Sequence, residues 1–164
     1  MTADSRKWLT LAVICVAQFM VILDVSIVNV ALPSIQRGLH FSEDNLLWVL
    51  NAYALMFGGF LMLGGRVADK LGRRRVFIAG VVVFTTASLF CGLATSSGWL
   101  VAARAVQGLG AAILSPAALS ILTVTFEEGR ERNTALSIWG AIAGAGGAFG
   151  VLLGGILTLS LIHI

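Results

Sequence analysis

Residues 8–32 read WLTLAVICVAQFMVILDVSIVNVAL, and in that run Asp24 is the single formally charged side chain. A helix rises 1.5 Å per residue, so about 20 apolar residues cross the hydrocarbon core of a bilayer. The run is long enough to do so. Arg6 and Lys7 precede it as a charged leader would. It is nevertheless longer than the roughly 7–15 apolar residues of a signal-peptide core, and no clear small-residue cleavage site interrupts it. It is therefore expected to remain as a spanning helix.

The rest of the chain has the same character. Of its 164 residues, 58% are hydrophobic and 12% charged, against about 25% charged in soluble domains; the mean hydropathy is +0.95. There are nineteen glycines and two prolines, as suits membrane helices whose backbones approach closely. Cys15 and Cys91 both fall in apolar runs and read as small buried hydrophobes, not as a disulfide or a metal pair. Further apolar stretches predict spans near 8–32, 46–65, 76–95, 99–124 and 134–158. The connection 96–98 is short enough for spans three and four to form one buried hairpin, but each run alone is long enough to cross. The expected fold is all-α, a polytopic membrane helical bundle.

Charge placement sets the orientation. Arg6 and Lys7, then Arg66, Lys70, Arg73, Arg74 and Arg75 in a loop at 66–75, then Arg130 and Arg132 fall on one side, whereas the opposite connections hold only Arg37. The positive-inside rule puts the N-terminus and the loop 66–75 in the cytoplasm of a cell (plasma or inner) membrane. Trp48, Tyr53 and Trp99 are expected near the outer interface and Trp8 near the inner one.

Within the spans only Asp24 and Arg104 are formally charged. A charge at mid-bilayer costs at least ~2.5–3.5 kcal/mol on insertion scales, so it is normally paired, hydrated or neutralised. Their positions put both roughly 7–10 Å outward of the membrane centre, so an ion pair or a shared water cavity is geometrically allowed. Two readings follow. The pair is a staple between helices, or it is a switch, because a carboxylate keeps its charge beside a cation and favours the neutral acid when desolvated and alone. Exchanging those surroundings takes up and releases a proton. In span four Arg104, Gln107, Gly108, Ala111 and Ser115 share one helical stripe that either lines a cavity or packs closely. In span one Gln18 and Asn29 point one way and Asp24 another. Span five carries Gly146, Gly150, Gly154 and Gly155 among glycines spaced for close packing or bending.

Three segments carry a family resemblance. Residues 23–33, LDVSIVNVALP, resemble the first-helix motif of the 14-helix drug:proton antiporters of the major facilitator superfamily. Residues 65–75, GRVADKLGRRR, are similar to the superfamily's loop motif, and residues 104–110, RAVQGLG, to its helix-four motif. The resemblance implies that Asp69, Arg73 and Arg74 form a cytoplasmic gate latch, that Gly65 and Gly72 permit its tight turn, and that Asp24 and Arg104 couple transport to protons. Gln18, Asn29, Gln107, Gly108 and Ser115 are the expected cavity lining. The loop also reads as a topogenic or lipid-binding basic patch. Antiporters of this kind usually show Gly-x-x-x-Gly-Pro-x-x-Gly-Gly in helix five, and here Val151 stands where the proline would be. A bend there would rest on glycine alone. The chain would be an N-terminal fragment, the first five helices of a longer bundle whose remaining helices are its partners. Residues 159–164 do not resemble the family, and His163 is not an expected site residue.

Function classes narrow accordingly. The sequence holds no histidine cluster for zinc, no Gly-x-Ser-x-Gly elbow and no phosphate loop ending in Lys-Ser or Lys-Thr, so the expectation is not an enzyme. No cofactor or metal is implied, the proton gradient being the energy source. The expected partners are protons, a small organic substrate and the lipid bilayer, with no nucleic acid. Proton-coupled efflux of amphipathic compounds is the leading reading; uptake of a metabolite or sugar, or a non-transporting membrane role, are the competitors.

Overall fold

The computed structural model describes residues 3–161, and His163 lies outside them. Its elements are all helices: α1 (Ala3–Gly38), α2 (Glu43–Leu46), α3 (Trp48–Leu71), α4 (Arg73–Gly92), α5 (Ser97–Thr125) and α6 (Arg130–Leu161). All but the single-turn α2 are long and apolar enough to cross a membrane. Many large apolar side chains along the spans are left exposed, Val16 at 69% and Met62 at 85% among them. That pattern suits a lipid surround.

The helix ends follow local chemistry. Ser96 caps α5 by accepting a hydrogen bond from the Trp99 backbone N–H at 3.4 Å, the usual role of a serine at that position. Gly72, at φ 94°, forms the whole joint between α3 and α4, so the segment 66–75 is helical on both sides of one residue and is not a loop. Lysine and arginine are good helix formers, and the basic residues continue the two helices up to the joint. Gly65 takes no part in the turn. It sits within α3, where a side chain would meet Pro116 at 3.7 Å.

Packing separates the bundle into two groups. Helix α5 is gripped by α3 and α4, α1 pairs with α6, and a narrower α1–α5 contact joins the groups. Glycine sets the close approaches, since between lipid-bathed helices packing must supply the adhesion that the hydrophobic effect does not. A Cβ on Gly108 would overlap the Tyr53 carbonyl, and one on Gly110 would come within 2.6 Å of the Phe84 backbone nitrogen. On the other side Gly146, Gly150 and Gly154 present one face of α6 to Ile22, Ser26 and Val30 of α1. Gly155, expected to pack with them, has open space about it. The basic ends of these two helices are also tied, by Lys7 to Glu131 at 3.3 Å, and an edge-on contact of Trp8 with Phe126 ties α1 to the C-terminal end of α5. Helix α6 runs unbroken through Val151.

Candidate functional site: a buried carboxylate, guanidinium and amide

The seam between the two groups holds a polar network. Arg104 is 1% exposed and Gln107 0%, three residues apart on α5 and so on the same face. The Arg104 Nη1 donates to Asp24 Oδ2 at 2.7 Å and to Gln107 Oε1 at 2.7 Å. Gln107 Nε2 donates to Asp24 Oδ1 at 2.8 Å. The Arg104 Nε donates to the Val49 carbonyl of α3 at 3.2 Å, and the guanidinium carbon lies 4.4 Å from the centre of the Tyr53 ring. From α4 the Cys91 thiol reaches Gln107 Oε1 at 3.4 Å.

This arrangement meets the physical demand of a charge in a membrane. Both carboxylate oxygens accept, and the guanidinium has an anion, an amide, a backbone carbonyl and an aromatic face. Breaking such a pair by deleting one partner costs about 3–5 kcal/mol because the other charge is left buried. The pair is not sealed. Asp24's side chain is 15% exposed and, with Arg104, borders a cavity of about 450 Å³ also lined by Ser34, Ser88, Cys91 and Thr158. Charge, hydrogen-bond capacity and an open volume therefore meet at one carboxylate.

The other expected site residues fall elsewhere. Gly108 is packed against Tyr53 and borders neither cavity beside Asp24. Gln18 and Ser115 are half-buried and border neither cavity beside Asp24. Asn29 is exposed and donates to the Val25 carbonyl of its own helix at 2.8 Å. At the basic end, Arg73 approaches Asp69 at 3.6 Å across the Gly72 joint, while Arg74 is exposed. Tyr53, expected at the outer interface, is 7% exposed and belongs to the network. Its one available signal was that it is the single tyrosine of the chain. Cys91 and the Val49 carbonyl carried none.

With that geometry in place, comparison with known proteins is direct. Residues 14–163 match the family model of the Major Facilitator Superfamily, and the chain belongs to that family. It is a multi-pass membrane protein of a transporter family. It is 51% identical over 155 residues to the puromycin resistance protein pur8 of Streptomyces alboniger, covering 94% of this chain and 31% of that protein. It is 52% identical over 157 residues to the cephamycin export protein CmcT of Amycolatopsis lactamdurans, covering 96% and 32%. The multidrug resistance protein Stp of Mycobacterium tuberculosis is 46% identical over 155 residues, covering 94% and 29%. The chain thus spans about a third of the length of the curated relatives it matches.

Proposed function

We propose that this chain is the N-terminal part of a transporter that exports amphipathic organic compounds in exchange for protons, by alternating access. The observation that carries the reading is Asp24: a carboxylate held by buried Arg104 and Gln107 and bordering a cavity. Proton uptake by Asp24 removes the charge that holds Arg104. The exporters among the relatives point to the direction of transport. Two half-bundles rocking about a central cavity would supply the alternation, the second half coming from helices beyond this chain. The basic ends of α1, α3, α4 and α6 face the cytoplasm, and Asp69 with Arg73 and Arg74 latches that side. The latch pair is partly exposed, at 65% and 39% for the Asp69 and Arg73 side chains. It is therefore worth about 0–1 kcal/mol, weak enough to open in each cycle.

The test is Asp24→Asn in the complete transporter, reconstituted in vesicles with an imposed pH gradient and puromycin as the probe. Gradient-driven puromycin flux is expected to disappear while insertion is unchanged. Parent-like exchange of puromycin for protons in that variant would end the proposal.

A further inference from the structure

The hydrogen-bond directions around Gln107 lead to one step more, which rests on the proton-coupling reading above. A guanidinium can only donate and a carboxylate can only accept. Gln107, placed between them, is therefore fixed with its oxygen toward Arg104 Nη1 at 2.7 Å and its NH₂ toward Asp24 Oδ1 at 2.8 Å. The same oxygen also takes the Cys91 thiol at 3.4 Å. Every group bonded to Asp24 is a donor. A protonated Asp24 becomes a donor itself and needs an acceptor, which neither an amide nitrogen nor a guanidinium provides.

We propose that Gln107 is the positioning residue of the switch: its side-chain amide turns over when Asp24 takes up a proton, so that its oxygen passes from Arg104 to the new O–H. The proton comes from water in the adjoining cavity and stays on Asp24 Oδ1; no other bond is made or broken. The rotation is a half-turn about the terminal carbon–carbon bond of the side chain, a torsion whose preference is broad and two-fold. It sets amide N–H groups against Arg104 Nη1, which has then lost both the carboxylate charge and the amide oxygen. Arg104 keeps the Val49 carbonyl and the Tyr53 ring, both on α3, while its bond to Asp24 Oδ2 is reduced from a charge-assisted one to one with a neutral carboxyl oxygen. A single amide thus converts proton uptake at α1 into release of a cation on α5. The other groups facing this point are Cys91 and Ser88 from α4, and from α6 Gly154, Leu157 and Thr158, none of which carries a charge.

Cys91 makes the motion observable, because its thiol loses its acceptor when the amide turns. In the full-length protein in lipid membranes, infrared titration follows two bands. One is the carboxyl band absent in Asp24→Asn; the other is the S–H stretching band absent in Cys91→Ser, which separates it from Cys15. The S–H band is expected to move to higher frequency with the same pH midpoint as the Asp24 carboxyl band, and in Gln107→Leu to stay at the unbonded position throughout. An S–H band that stays fixed while Asp24 titrates would overturn the proposal. So would one that still moves in Gln107→Leu, or an Asp24 that never titrates where the protein is folded. None of these readouts involves transport. A parent whose S–H band follows Asp24 but whose puromycin flux ignores the pH gradient would support the switch and refute the export reading.

Discussion

Replacing Asp24 with alanine is expected to destabilise the bundle by about 3 kcal/mol, and adding Arg104→Met to recover part of the loss. Asp24 accepts two short hydrogen bonds, from Arg104 at 2.7 Å and Gln107 at 2.8 Å. Its removal leaves a guanidinium that is 1% exposed. Orphaning one partner of a buried pair costs about 3–5 kcal/mol. Two features place this case at the low end. Arg104 keeps the Val49 carbonyl, the Gln107 oxygen and the Tyr53 ring, the last worth about 2 kcal/mol or more when desolvated. Asp24, with its side chain 15% exposed, is also incompletely desolvated to begin with. Methionine at 104 removes the orphaned cation, fills much of its slot and leaves only Gln107 short of partners, at about 1–3 kcal/mol for an unsatisfied polar group. Thermal unfolding of the detergent-solubilised protein measures this: at about 2–4 °C per kcal/mol, the single variant should melt about 6–12 °C below the parent and the double variant above the single. A single variant melting with the parent, or a double variant below the single, would show that the pair does not hold the seam.

The same melting assay tests the backbone approaches. Gly108→Val forces a side chain into the Tyr53 carbonyl and should cost at least the ~1–3 kcal/mol of an overpacked core, whereas Gly155→Ala, with nothing near its Cβ position, should change stability by less than about 0.5 kcal/mol. Gly72→Ala at φ 94° should cost about 1–3 kcal/mol, and Gly58→Ala, within α3 and facing open space, should leave the melting point unchanged or slightly higher; equal tolerance at 72 and 58 would contradict the single-residue joint.

The features legible in the sequence are those whose alternative is expensive. An aspartate and an arginine stranded in apolar runs must find partners, so Asp24 and Arg104 stand out without coordinates, and the three-residue spacing carries Gln107 along with Arg104. Tyr53 does not stand out, because a ring at the outer end of a span serves an interface or a cation equally well and only packing decides. The Val49 carbonyl is invisible because every residue has one. Cys91 reads as a small hydrophobe because burial and a weak thiol hydrogen bond leave the same mark on a sequence. The misread loop has the same origin: a dense basic stretch fits a solvent loop and a pair of helix ends alike, and the difference rests on one glycine with positive φ. Gly155 shows the limit of spacing rules, which find small residues but not the face that meets a neighbour.

The location of the network explains why charge should matter to motion here. Within each group glycines set close helix contacts: α5 against α3 and α4, and α6 against α1 at Gly146, Gly150 and Gly154. Such contacts weaken as soon as they are separated, a gap of about 0.5–1 Å forfeiting a quarter to a half of the attraction. The α1–α5 contact that joins them is narrower, and at it sit Asp24 on one side and Arg104 with Gln107 on the other. Polar bonds are longer-ranged than packing contacts and depend on protonation, so they are suited to a joint that must hold in one state and yield in another. Asp24 sits at this joint, so a change in its protonation would act on the contact between the two groups.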